Sequence, residues 1–61
     1  MTLRALVVDD EPVARRRLKT LLIEEGGVAI VGECEDGAEA VDAIARLRPD
    51  VVFLDVFPLE L

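Results

Sequence analysis

Histidine, tryptophan and tyrosine are absent from this sequence, and it contains a single cysteine. One thiol cannot form an internal disulfide, and a chain without histidine has none of the Cys/His spacings typical of zinc sites. We therefore expect Cys34 to be a small buried hydrophobic residue on a strand, with a reactive thiol as the alternative. Because aromatic residues make up only 3% of the chain, its core must consist of Val, Leu, Ile and Ala.

The sequence also lacks any long apolar segment. The first apolar run, 3–8, is too short for a secretory signal and two acids follow it, and no run approaches the roughly 20 residues that cross a bilayer. These absences predict a cytoplasmic protein that does not bind membranes.

Positive charge is scarce as well. Seven basic residues stand against 13 acids, which gives a net charge of −6 and argues against direct nucleic-acid binding. The one basic cluster is Arg15-Arg16-Arg17-Lys19. It is interpreted as the solvated face of a helix, and the alternative is a contact surface for an acidic partner.

What the chain does contain is apolar sequence, 52% of its 61 residues, in segments that alternate between strand-like runs and helical spacing. This pattern predicts one small domain, 1–61, of class α/β with the order β-α-β-α-β. The strands are expected at about 3–8, 28–34 and 51–56, and the helices at about 12–25 and 37–47.

Local signals define the predicted helix ends and buried faces. Asp10 is expected to cap the first helix, Asp36 with Glu39 to cap the second, and Gly26-Gly27 to end the first. The predicted buried faces are Ala14, Leu18, Leu21 and Leu22 in the first helix and Ala40, Val41, Ile44 and Leu47 in the second.

Right-handed crossovers between parallel strands then suggest a doubly wound sheet of order 2-1-3, with the helices on opposite faces. This order brings Asp9, Asp10 and Asp55 to the carboxyl edge of neighbouring strands, where α/β proteins bind ligands. Three adjacent carboxylates favour a hard cation such as Mg²⁺, which could assist phosphoryl transfer to one of them. The alternative is that each acid only caps a helix or ends a strand.

Three motifs in the right order and spacing resemble the receiver domain of bacterial two-component response regulators, with greatest similarity to receivers of LytTR-type transcriptional regulators. They are Leu6-Val7-Val8-Asp9-Asp10-Glu11-Pro12, the stretch 32–40 (GECEDGAEA) and the stretch 48–55 (RPDVVFLD). The resemblance implies a flavodoxin-like fold in which Asp55 is the phosphoacceptor for a sensor histidine kinase. It also implies that Asp9, Asp10, Asp55 and the carbonyl of Phe57 bind Mg²⁺, that no organic cofactor is bound, and that the domain is not an enzyme.

The sequence departs from the family pattern after Asp55. A receiver has five strands in about twice this length, and its phosphoryl-contacting hydroxyl and lysine have no counterpart here. We therefore expect the N-terminal half of a receiver, with impaired phosphotransfer. Strand 51–56 would then have an open edge and pair with a second copy of the chain. The alternative is a self-associating scaffold or designed half-domain without phosphotransfer activity.

Overall fold

The computed structural model describes residues 1–55. Its elements confirm the predicted order: β1 (Leu3–Asp9), α1 (Pro12–Glu25), β2 (Val28–Cys34), α2 (Gly37–Leu47) and β3 (Val51–Asp55). Among the described residues, the bounds differ from the prediction only at the end of β1. Asp9 is the last residue of β1 rather than the residue after it, and Val56 lies outside the described residues.

The three strands form a parallel sheet in the order β2-β1-β3, as predicted. The central strand is the most buried part of the described chain, and the four consecutive residues from Ala5 to Val8 have no solvent exposure. Between Ala5 and Leu6 the β1–β2 register shifts, so that Gly32 lies opposite Leu6. One residue of β2, Val31, therefore has no partner in β1 at this shift.

One face of the sheet carries α2 and the main hydrophobic cluster. The cluster consists of Leu6, Val8, Cys34, Ala40 and Ala43, with Leu47 and Val52 packed against it. The predicted burial of Cys34 is confirmed. The prediction was wrong for Val41 and Ile44, which are 71% and 42% exposed. The small side chains at positions 40 and 43 let the helix approach along that stripe, which turns positions 41 and 44 to the side.

Gly32 lies where a side chain of α2 packs closely against the sheet. A Cβ atom at this position would be 2.8 Å from Leu47 Cδ1 and 3.1 Å from Leu6 Cδ1. Any larger residue would push against the helix, so glycine permits the observed distance between β2 and α2.

The opposite face carries α1, as predicted. Neighbouring strand residues point to opposite faces, and Glu33, next to the buried Cys34, forms ion pairs with Arg15 and Lys19 of α1. No residue of α1 is fully buried, and Leu21, predicted to be in the core, is 54% exposed. The face that α1 turns to the sheet includes Arg15 and Lys19, and Leu21 lies toward solvent.

Two of the predicted helix-end signals are confirmed, the glycine pair after α1 and the Asp36 cap of α2. Gly26 and Gly27 adopt positive φ angles of 81° and 75°, which glycine tolerates best. The side chain of Asp36 accepts a hydrogen bond of 2.8 Å from the Glu39 amide. The Glu39 carboxylate in turn accepts one from the amide of Glu35 at 3.2 Å.

The C-terminal end of α2 is held by a residue that the sequence analysis did not identify. Arg4 of β1 donates from Nη1 to the Arg48 carbonyl and from Nη2 to the Leu47 carbonyl, both at 2.7 Å. Its backbone also exchanges two hydrogen bonds with Asp50, which accepts at Oδ2 and donates from its amide. These contacts tie the start of β1 to the α2–β3 connection.

Neither described helix is long and apolar enough to cross a membrane.

Candidate functional site

The carboxylate of Asp9 is delivered by the most buried strand of the fold. Asp9 follows four fully buried residues and is itself only 4% exposed. Its Oδ1 atom accepts a hydrogen bond of 2.9 Å from the amide of Glu11. The strand fixes the backbone and this bond orients the side chain, so Asp9 presents an ordered carboxylate at the carboxyl edge of the sheet.

Asp55 reaches the same edge from β3. The two strands run parallel with Ala5 opposite Val51 and Asp9 opposite Asp55. Side chains at paired positions of adjacent strands lie on the same face, so the two aspartates are direct neighbours. Asp55 is exposed whereas Asp9 is buried. The juxtaposition predicted from the strand order is therefore present, with one carboxylate open to solvent.

Asp10, the third predicted acid, is exposed and follows Asp9 directly. It was predicted to cap α1, and this prediction was wrong. The N-cap residue is Glu11, whose own side chain makes no capping hydrogen bond. Asp9 bonds the Glu11 amide instead, which places Asp10 outside the helix start. Asp10 therefore has no capping role that would explain an acid at this position.

The fit of these residues to a divalent cation rests on their chemistry and their register. Across residues 1–55, no three acidic or thiol side chains come close enough together to bind one metal ion. Mg²⁺, however, is usually held by one or two carboxylates and keeps several waters. The neighbouring Asp9 and Asp55 supply such a pair, with oxygen donors only. The fourth predicted ligand, the carbonyl of Phe57, lies outside the described residues, and the metal site stays a prediction.

A basic residue that was not predicted to take part contacts this edge. Arg15 Nη1 donates a 2.6 Å hydrogen bond to the backbone carbonyl of Asp9, and its Nε donates to Glu33 Oε1 at 3.2 Å. Lys19 Nζ contacts the other oxygen of Glu33 at 2.7 Å. Arg15 and Lys19 were interpreted as part of a solvated face, but their side chains are only 18% and 29% exposed. One feature of the sequence could have indicated this contact: Glu33 is an acid that follows five apolar or small residues in β2, and an acid at such a position calls for a basic partner.

The charges in this group support one another. The hydrogen bond from Lys19 and the positive charges of both basic residues hold the pKa of Glu33 below its ordinary value, against the opposing effect of its partial burial. Glu33 is therefore ionised at neutral pH and attracts the Arg15 guanidinium, which in turn reaches Asp9. Two residues of the basic cluster, which was interpreted as a solvated face, are thus paired with an acid of the chain itself.

Cys34 shows the properties of a core residue. It is 4% exposed, and burial, followed by the nearby charges of Glu39 and Asp36, raises the pKa of its thiol. An open groove of about 370 Å³ between β2 and α2 passes beside it. The three aspartates of the carboxyl edge do not line this groove, so it is separate from the candidate site.

Known proteins match this chain over most of its length. The family described as response regulator receiver domain matches residues 5–57. The transcriptional regulatory protein BtsR of Escherichia coli K12 is 48% identical over 54 residues, covering 88% of this chain and 23% of the relative. A protein-glutamate methylesterase/protein-glutamine glutaminase of Alkalilimnicola ehrlichii is 48% identical over 56 residues, covering 92% of this chain and 14% of the relative.

A solved structure agrees with these sequence matches. The signal receiver domain of the putative response regulator NarL from Mycobacterium tuberculosis superimposes with a TM-score of 0.80 at 39% identity. The match covers 84% of this chain and 41% of that domain. The chain spans less than a quarter of the length of the two curated relatives. The predicted family and fold are thus confirmed: the chain belongs to the response regulator receiver domain family and corresponds to the N-terminal part of such a domain.

Proposed function

We propose that Asp55 is the phosphoacceptor of a two-component signalling pathway and receives its phosphoryl group from a sensor histidine kinase. The observation that carries this proposal is the pairing of Asp9 with Asp55 at the carboxyl edge of the sheet in a chain of the receiver family. The domain acts as a switch rather than as an enzyme and works in the cytoplasm. A LytTR-type transcriptional regulator is the proposed parent protein.

The two neighbouring aspartates differ in a way that assigns their roles. An oxygen of the exposed Asp55 carboxylate attacks the phosphorus of the donor, the bond from phosphorus to the donor's leaving group breaks, and an acyl phosphate forms. Asp9 is buried and bonded to the Glu11 amide, which suits it to hold charge beside the reaction rather than to attack. Mg²⁺ would be held by the neighbouring pair Asp9 and Asp55, with Asp10 and the Phe57 carbonyl added as the resemblance to the receiver family implies, and would neutralise charge on the transferred group. We expect the 61 residues on their own to accept the phosphoryl group more slowly than a complete receiver domain does.

Phosphorylation by a small donor tests the assignment directly. The protein is incubated with acetyl phosphate, with Mg²⁺ or with EDTA, and its intact mass is measured. We expect a gain of one phosphoryl group that requires Mg²⁺ and is absent in Asp55→Asn. The matched control is Asp42→Asn, which removes an exposed carboxylate of α2. No gain in the wild type, or an equal gain in the Asp55 variant, would contradict the proposal.

Self-association through strand 51–56, as a scaffold without phosphotransfer activity, is the second candidate. It is favoured by the position of β3, which is an outer strand of the described sheet, and by Leu54, which is 64% exposed. An outer strand can pair with another chain through its free backbone groups. Sedimentation equilibrium should then give the mass of a dimer that Leu54→Lys weakens. A monomer mass at high concentration would exclude this candidate.

A further inference from the structure

The start of the β1–α1 loop is held by a closed ring of three hydrogen bonds. The Asp9 side chain accepts from the Glu11 amide at 2.9 Å. The Glu11 carbonyl accepts from the Arg15 amide at 2.9 Å. The Arg15 guanidinium closes the ring by donating to the Asp9 carbonyl at 2.6 Å. Asp10 lies between two residues that the ring immobilises.

Arg15 is the only member of this ring that reaches Asp9 from the body of α1. The β1–β2 pairing ends at Val8 and Cys34, one residue before Asp9. The guanidinium therefore adds a charge-assisted bond just beyond the last β1–β2 pair. Glu33 of β2 also contacts the guanidinium, at 3.2 Å. The orientation of the guanidinium is therefore fixed by contacts to both β1 and β2.

We propose that Arg15 is a positioning residue that fixes the Asp9 carboxylate and the Asp10 backbone through its hydrogen bond to the Asp9 carbonyl. The inference rests on the proposed function insofar as these two acids serve a metal and a phosphoryl group. Arg15 itself does not bind either. Without it, the β1–α1 loop keeps its sequence and its acids but loses the bond that closes the ring.

The Glu11 amide reports this geometry without any metal. Its hydrogen exchange is measured by NMR in the metal-free protein and expressed as the ratio of the variant's rate to the wild-type rate, while exchange at a core amide such as that of Val7 reports global stability separately. In Arg15→Met we expect this ratio to be roughly 5 to 10, since a hydrogen bond from a charged group is lost. In Lys19→Met, which loses the same charge and also a contact to Glu33 but none to Asp9, we expect a ratio near one.

Binding of Mg²⁺ gives a second readout whose sign separates positioning from simple charge. Removing a positive charge near acids should strengthen cation binding. We expect Lys19→Met to bind Mg²⁺ equally well or slightly better. Arg15→Met should bind it several-fold more weakly, and Arg15→Lys should fall between Arg15→Met and the wild type.

The outcomes separate the positioning role of Arg15 from the proposed Mg²⁺ site. An exchange ratio near one in Arg15→Met, or equal ratios in Arg15→Met and Lys19→Met, would overturn the positioning role. A wild type that does not bind Mg²⁺ would overturn the metal part of the proposed function, while the exchange ratio would still decide the role of Arg15.

Discussion

Replacing Arg4 by methionine should destabilise the fold through the end of α2, although Arg4 is an exposed residue. The guanidinium donates two 2.7 Å hydrogen bonds to the carbonyls of Leu47 and Arg48. The last carbonyls of a helix have no partner within the helix, and they form the negative end of its dipole. Methionine keeps most of the aliphatic stem of the side chain but supplies neither the donors nor the charge.

The magnitude follows from these contacts. Two hydrogen bonds at an exposed site contribute about 0.5 kcal/mol each, at the low end of the usual range. A cation at a helix C-terminus adds about 0.5 kcal/mol. We therefore expect the free energy of unfolding to fall by about 1.5 kcal/mol, which corresponds to a loss of roughly 6–12 °C in Tm for a domain of this size. The backbone bonds between Arg4 and Asp50 do not depend on the side chain and should persist.

Urea denaturation followed by circular dichroism measures this loss. Arg17→Met is the matched control, because it changes the net charge equally and the described part of the chain shows no side-chain hydrogen bond or ion pair for Arg17. Arg4→Lys should recover only part of the stability, since an ammonium group lacks the fork that reaches two carbonyls. If Arg4→Met and Arg17→Met differ by less than about 0.5 kcal/mol, a typical surface effect, Arg4 does not stabilise the end of α2.

Three further expectations concern β2. Gly32→Ala should lower the free energy of unfolding by about 1 kcal/mol. The added Cβ would press on Leu6 and Leu47, and this overpacking outweighs the entropic gain from replacing glycine by alanine. Chemical denaturation measures the change, and an unchanged free energy of unfolding would contradict the close packing at Gly32. Because its pKa is lowered in the fold, Glu33 adds stability above its ordinary pKa of 4.5 that disappears as the pH falls through its lower folded value. The difference between wild type and Glu33→Gln, about 0.5 kcal/mol for a half-exposed pair, should therefore vanish in acid, and a constant difference across this window would contradict the ion pairing. Cys34 should react with iodoacetamide far more slowly in the native than in the urea-unfolded protein, and equal rates would show that the thiol is accessible.

The elements were predictable because their signals are local. Gly26-Gly27 ends α1 and Asp36 caps α2, each through the conformation or bonding of a few adjacent residues. The meeting of Asp9 and Asp55 was predictable for another reason. Parallel strands in the order 2-1-3 bring two carboxyl ends together, whatever the side chains do.

The faces of the helices were harder to predict, since helical spacing defines a stripe only when apolar residues are confined to one side. In α1, Val13 and Ile23 are also apolar and are both 64% exposed, so the stripe containing Leu21 was one of several. The contacts of the long basic side chains were out of reach for a different reason. Arg15 meets Glu33 across 18 residues and Arg4 meets Leu47 across 43, and sequence spacing carries no information about such pairs.

Arg4 and Arg15 contact opposite ends of the buried strand β1. We therefore expect Arg4 to affect the stability of the whole fold and Arg15 to affect the geometry of the candidate site. Arg4 joins the start of β1 to the end of α2, whereas Arg15 joins the last residue of β1 to the start of α1. They share no partner, and the rigid segment from Ala5 to Val8 lies between them. Distant sites without common contacts usually act additively. Loss of Arg4 should therefore weaken the whole fold and speed exchange at Val7, while the ratio of variant to wild-type exchange at Glu11 stays near one. Loss of Arg15 should raise that ratio. If Arg4→Met changed the ratio as much as Arg15→Met, the β1–α1 loop would depend on overall stability, and the ring of hydrogen bonds around Asp9 would not be what holds it.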